Sequence, residues 1–279
     1  MAAYDRRLSF EEFYDHYPRI EAEFQAALDT SLNPRGPELL FDLVSELGLA
    51  RGASIIDLGC GEGKQALELA SRFGFAVLGI DPVPRHVKLA TQQLTEASLQ
   101  QPELREQVQF GLGRAEAIPA NDESCDLVWC RDALIHVAAL DQAYAECRRV
   151  LRDTGHVLVY QMFGTDRLEP HEASWLWATM GVVPRNARPE HTEAAIAQAG
   201  LRVDSCVELG PEWGEWAEER TGKGRRQLLH AARLLRAPEL YQAQFGQAAY
   251  DIMLGDCLWH VYRMIGKLSP RIYLLSVAP

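Results

Sequence analysis

Ile55-Ile56-Asp57-Leu58-Gly59-Cys60-Gly61-Glu62-Gly63-Lys64 is the stretch on which the fold turns. An apolar run carrying one acid meets three alternate glycines and passes into Gln65-Ala66-Leu67-Glu68-Leu69-Ala70, whose spacing is helical. A strand, a glycine turn and a helix in that order let a ligand rest on bare backbone at a helix N-terminus. Two nucleotide readings fail. A phosphate-binding P-loop needs four residues between its glycines and a hydroxyl after the lysine, whereas Gly59 and Gly63 enclose three and Gln65 follows Lys64. A dinucleotide fingerprint needs glycine where Lys64 stands.

Outward from the turn, short apolar runs alternate with longer amphipathic ones. Strands are expected at 54–58, 76–80, 108–111, 126–130 and 156–160, with helices at 64–73, 84–99 and 139–150 between most of them. This is the pattern of βαβ units and a parallel sheet, an open doubly wound α/β domain. Further on, a helix is expected at 192–199 with Thr192 as its cap and Gly200 as its stop, then strands at 201–209 and 271–277. The expected organisation is an N-terminal helical cap over 1–50, a core over 51–210 and 270–279 with an excursion at 164–189, and a helical lid over 211–269.

The 279 residues carry 28 Lys plus Arg against 39 Asp plus Glu, a formal charge of -11 that disfavours a nucleic-acid partner held by phosphate contacts. Six cysteines without a C-x-x-C pair suit reduced thiols and no structural zinc. With no signal-like start and no run of about 18 apolar residues, the expectation is a soluble cytoplasmic protein with no membrane partner. No metal site is expected, and the oligomeric state is not readable.

The second strand ends near Asp81, twenty residues after Gly61, where an acid can take the hydroxyls of a ribose. Asp57, just before the glycines, would repel a pyrophosphate but suits a ligand carrying an ammonium and a sulfonium. The ligand implied is S-adenosylmethionine. Asp57-Leu-Gly59-Cys-Gly61-Glu-Gly63 with Gly79-Ile-Asp81, Gly113-Arg-Ala115-Glu116-Ala-Ile-Pro119 and Asp126-Leu-Val-Trp-Cys130-Arg131 resembles the ordered motifs of class I S-adenosylmethionine-dependent methyltransferases, over about residues 50–163. The resemblance implies a Rossmann-like sheet, mostly parallel with an antiparallel last strand, plus N-terminal helices and a helical lid insertion. It also implies that Gly59, Gly61 and Gly63 pack under the cofactor and Asp81 binds its ribose. Pro82 and His86 would flank the adenine, Ala115 and Glu116 would hold its edge, and Cys130 and Arg131 would line the methionyl end. Thr154-Gly155 departs from the family's usual glycine-rich turn.

Asp132 and His136 stand four residues apart just past the fourth strand, on one face if a helical turn starts there. They are the catalytic candidates, His136 to accept a proton and Asp132 to orient it or to steady a cationic acceptor. The spacing is similar to a segment of sarcosine/dimethylglycine and phosphoethanolamine N-methyltransferases, which makes the N-terminal Tyr14 and Tyr17 substrate candidates. The alternative role for the pair is structural, a cap and a core histidine. Five of the six tryptophans, 175, 177, 213, 216 and 259, fall in the insertions; most should pack lid helices, with Trp213 and His260 candidates for substrate contact. Lys223, Arg225, Arg226, Arg233 and Arg236 form a basic cluster, either a solvated face or an attractor for a carboxylate or phosphate. The expected activity is methylation of a small molecule on nitrogen or oxygen. Methylation of a carbon in a natural-product or prenyl-type acceptor, and cofactor binding without turnover, are the alternatives.

Overall fold

The computed structural model describes residues 8–278. The chain up to Pro34 forms one unit and the chain from Arg35 another. The first holds α1 (Phe10–Leu28), opened by a capping box in which Ser9 accepts from the Glu12 amide and Glu12 returns a bond to the Ser9 amide. No residue of α1 is buried, and Tyr14 and Tyr17 are exposed on it.

The second unit is built on a seven-stranded sheet. Its strands are β1 (Ser54–Leu58), β2 (Ala76–Asp81), β3 (Val108–Leu112), β4 (Cys125–Arg131), β5 (Leu151–Gly164), β6 (Leu201–Glu208) and β7 (Leu268–Val277), in the order β3-β2-β1-β4-β5-β7-β6. β7 runs antiparallel to both neighbours, and the pairings among β1 to β5 are parallel. The strand order reverses between β1 and β4, so the chain leaves their carboxyl ends in opposite directions and opens a cleft there.

Helices cover both faces. In order they are α2 (Glu38–Glu46), α3 (Lys64–Phe73), α4 (Pro84–Ala97), α5 (Leu104–Gln107), α6 (Leu140–Val150), α7 (Pro170–Thr179) and α8 (Pro189–Gln198). The lid between β6 and β7 is α9 (Glu212–Thr221), α10 (Lys223–Arg236), α11 (Pro238–Phe245) and α12 (Gln247–Met264). The two-residue period of β4 splits the core: Leu127 and Trp129 join one apolar cluster, and Val128 and Cys130 the other.

Three expectations move. α2 belongs with the sheet, because Leu40, Phe41 and Val44 are buried in its core and Phe41 stacks on Trp129 at 5.3 Å. α8 begins at Pro189 rather than Thr192. Proline's fixed φ suits a first turn, and the Thr192 hydroxyl is engaged instead by the Gln161 amide at 3.0 Å. Thr154-Gly155 lies inside β5 rather than in a turn, since the strand already starts at Leu151. No helix of the described residues is long and apolar enough to cross a membrane.

Candidate active site

The glycine turn is a set of backbone requirements. Gly59, Gly61 and Gly63 all have φ between +54° and +85°, where a Cβ is strained. Their surroundings differ. A Cβ on Gly59 would run into that of Ala133, and one on Gly63 would lie 2.5 Å from the Phe110 ring and 2.9 Å from the Ala90 methyl. At Gly61 nothing lies within 4 Å, so the open side of the turn is left to a ligand.

Beside it lies a cavity of about 450 Å³, lined in part by Gly59, Gly61, Asp81, Pro82, His86, Ala115 and Glu116. Asp81 ends β2 with its carboxylate fixed: Oδ2 accepts from the Gly61 amide at 3.0 Å, Oδ1 from the Val83 amide at 2.9 Å, and His86 Nδ1 lies 3.1 Å from Oδ1. The turn carrying Ala115 and Glu116 is anchored by Arg149 of α6, which donates to the carbonyls of Ile118 and Ala120 and to Asp122. Sequence reading missed Arg149; its only signal is a cation placed one helix after a glycine-bounded turn.

Asp57 lies beneath this cavity, 2% exposed, with Oδ2 buried and unpartnered. Burial pushes its carboxyl up to about 7. The Asp81 charge acts the same way, and the Ala66 amide and Arg131 oppose it. An orphaned buried carboxylate oxygen is costly, and an ammonium group would satisfy it. Together with the open backbone at Gly61 and the acid at Asp81, it fits the groups of S-adenosylmethionine.

A second cavity, of about 720 Å³, opens among α2, α3 and the lid helices. Arg131, Asp132 and His136 line both cavities, and they are the hinge of the site. Asp132 holds φ +57°, a left-handed conformation that Asp tolerates better than most residues but that still costs free energy. Its Oδ1 is buried and unpartnered. Burial pushes the carboxyl up to about 6, against the pull of Arg131, Arg263 and His136. His136 ends a 3-10 turn, Leu134–His136, and its Nδ1 lies 2.9 Å from the Gly181 carbonyl oxygen. A carbonyl only accepts, so Nδ1 carries the proton and Nε2 of the neutral ring keeps its lone pair.

The turn is clamped from the 164–189 excursion. Asn186, fully buried, donates through Nδ2 to the carbonyls of Leu134 at 3.0 Å and Val137 at 2.7 Å, and accepts at its own carbonyl from Gln161. Gly181 and Asn186 carry no motif that sequence reading could use.

The other predicted residues fall as follows. Trp213 and His260 line the larger cavity; Trp213 stacks on Tyr160 at 4.3 Å, with the Arg131 guanidinium 5.5 Å from its ring. Burial, with Lys223 and Arg263 adding to it, drives the His260 ring down to about 4 and keeps it neutral. Gly63 and Asp57 are not among the residues lining either cavity. Cys130 is fully buried beside Tyr144 and Cys147, on the other face of β4 from Trp129, and is not among the residues lining either cavity. Burial pushes its thiol up to about 12. Tyr14 and Tyr17 lie in the N-terminal unit, and the residues lining both cavities all come after Arg35. Among the described residues, no cluster of His, Cys, Asp and Glu could hold a metal.

Residues 56–159 match the family described as methyltransferase domain, which marks this stretch as an S-adenosylmethionine-dependent methyltransferase domain. The chain is 26% identical to a 27-O-demethylrifamycin SV methyltransferase of Amycolatopsis mediterranei, over 67% of this chain and 70% of that protein. Other curated relatives are matched over 31–62% of their own length. The fold is shared with phosphoethanolamine N-methyltransferase 2 of Haemonchus contortus in complex with S-adenosylhomocysteine, at TM-score 0.63 and 20% identity over 98% of this chain and 61% of that one. It is shared equally with the [4+2]-cyclase SpnF, at TM-score 0.66 and 18% identity over 96% of both chains.

Proposed function

We propose that the protein transfers the methyl group of S-adenosylmethionine to a nitrogen or oxygen of a small molecule seated in the larger cavity, with His136 taking the acceptor's proton. The supporting observation is that the cavity beside Gly61 and Asp81 and the larger cavity share Arg131, Asp132 and His136. The cofactor supplies an electrophilic methyl on a sulfonium. What the chain contributes is alignment, exclusion of water and a place for the proton. Asp57 and Asp81 bind the ammonium and the ribose, and Gly61 leaves room for both. His136 Nε2 accepts the proton while the Gly181 carbonyl holds the ring in the tautomer that makes this possible. Asp132 supplies negative charge beside the acceptor, and its left-handed backbone turns that charge into the cavity boundary.

The likeness to a [4+2]-cyclase over nearly the full length of both chains gives weight to a second reading, a methyltransferase fold that binds its cofactor without methylating. Labelled methyl transfer from S-adenosylmethionine into a metabolite extract freed of macromolecules separates the two. The proposal expects labelled product, a loss of roughly 100- to 10,000-fold in His136→Gln, and S-adenosylhomocysteine affinity unchanged in that variant. Cofactor binding with no labelled product supports the second reading. Absence of binding overturns both.

A further inference from the structure

The larger cavity is less acidic than the chain as a whole. The molecule carries a formal charge of -11, yet Lys64, Arg131, Lys223 and Arg263 all line this one space. Four carboxylates line it too, but they do not cancel those cations. Glu38 and Glu68 are both held by Arg72, which lies outside the lining. Asp256 accepts from Gln227 at 3.3 Å and lies 3.8 Å from His260 Nε2. Asp132 has no ion pair. None of the four cations lies within 4.0 Å of a carboxylate among the described residues. The Arg131 guanidinium instead sits over the Trp213 and Tyr160 rings, and the Arg263 Nη2 lies 3.4 Å from His260 Nδ1.

Arg263 is the most informative of them. Its Nε is buried and unpartnered, so its fork has a donor removed from water with nothing to bond. A half-buried guanidinium with such an unpaired nitrogen is completed by an anion, because its planar donors match a carboxylate or phosphate two at a time. Lys223 stands at the start of α10, and its charge also acts on His260. That ring is kept neutral by burial and by these two cations, so it adds no charge of its own and can share in hydrogen bonding. Around them Trp213, Trp216 and Trp259 supply flat apolar walls.

Building on the methyl-transfer reading, we propose that the acceptor is an anion with a ring or flat apolar body, its carboxylate or phosphate held by Arg263 and Lys223 and its body laid against Trp213 and Trp259. The methyl-accepting atom then points to His136 and Asp132, which border the cofactor cleft. The lining cations also draw an anion into a protein whose overall charge would repel it, since local fields in a cleft outweigh distant charge screened by salt.

Benzoate and phenyl phosphate serve as probes, with benzamide as the neutral ring of matching shape, each titrated calorimetrically into the protein with and without S-adenosylhomocysteine. The expected result is binding of at least one anion, loss of benzamide binding by tenfold or more relative to it, and weakening of both anions as salt is raised. Comparison of benzoate with phenyl phosphate tells which anion the fork prefers. Arg263→Gln should weaken the preferred anion by tenfold or more, and Lys223→Gln, an exposed helix-start residue whose loss leaves the fold intact, by about threefold to tenfold, with S-adenosylhomocysteine affinity preserved in both. Equal binding of benzoate, phenyl phosphate and benzamide, no binding of either anion, or unchanged anion affinity in both variants overturns the proposal. If S-adenosylhomocysteine fails to bind, the methyl-transfer reading falls, and the titrations without it still decide whether the cavity is an anion site.

Discussion

With Asp57 assigned to the ammonium of the cofactor as proposed, cofactor binding becomes a proton-release reaction. The Asp57 carboxyl sits at about 7 rather than the ordinary 3.8, so the folded apoprotein resists ionising it by roughly 4 kcal/mol. The sign follows directly. A carboxyl whose pKa is raised by folding favours the protonated state, so its contribution to stability is complete below about pH 4 and is lost as the pH climbs through about 7. An ammonium group reaching the orphaned Oδ2 needs the ionised form, and it pulls the pKa back down in the complex. At about pH 8 some nine-tenths of Asp57 is already ionised, whereas at about pH 6 only a tenth is. The dissociation constant of S-adenosylhomocysteine should therefore rise roughly tenfold between about pH 8 and about pH 6, and about tenfold again by about pH 5. Calorimetry in two buffers of different ionisation enthalpy should find close to one proton released per cofactor at about pH 6 and close to none at about pH 8. Asp57→Asn isolates the group: its affinity should be nearly flat over this range, and weaker than wild type at about pH 8 by roughly 1.5–3 kcal/mol, the worth of a hydrogen bond to a charged group. A flat wild-type profile with no proton release, or an Asp57→Asn protein that keeps the wild-type slope, would refute the assignment of Asp57 to the ammonium.

The glycines should separate packing from binding. Gly59→Ala meets both a positive φ and the Ala133 methyl, and should cost about 2–4 kcal/mol, lowering Tm by roughly 5–10 °C; Gly61→Ala has open space and only the backbone strain of about 1–2 kcal/mol, yet should lose S-adenosylhomocysteine affinity by tenfold or more. Equal Tm losses, or intact affinity in Gly61→Ala, would show that the open side of the turn is not where the cofactor lies. Asn186→Leu strands the carbonyls of Leu134 and Val137 in the interior and should cost about 2–4 kcal/mol in denaturant melts. Because the turn it releases carries His136, labelled methyl transfer should fall further than cofactor affinity; a parallel fall in both would mean that Asn186 supports the whole cleft.

What could be read from the sequence, and what could not, divides along the same line as the two cavities. The lining residues of the cofactor cleft come from 58–61, 81–86, 113–116 and 131–138, each a strand end with its following turn, and a local pattern of strand, glycine and acid is enough to announce them. The face that Cys130 takes was decidable by counting, since Leu127, Trp129 and Arg131 share one parity and Cys130 has the other; β4 is apolar on both faces, which hides the alternation unless a charged residue marks it. The acceptor cavity is assembled otherwise. Glu38, Lys64, Asp132, Trp213, Lys223 and Arg263 reach it from α2, α3, the end of β4 and three lid helices, and no spacing rule connects them. Thr192 shows the same effect on a small scale: it looks like a cap until Gln161, 31 residues earlier, engages its hydroxyl. His136 is read correctly only once Gly181, 45 residues later, has fixed its tautomer. Lid residues can therefore change without disturbing the glycine turn or Asp81, which lets one cofactor half serve many acceptors. On the proposed reading, the identity of the acceptor is to be sought beside Arg263 and Lys223, two lining cations that make no ion pair among the described residues.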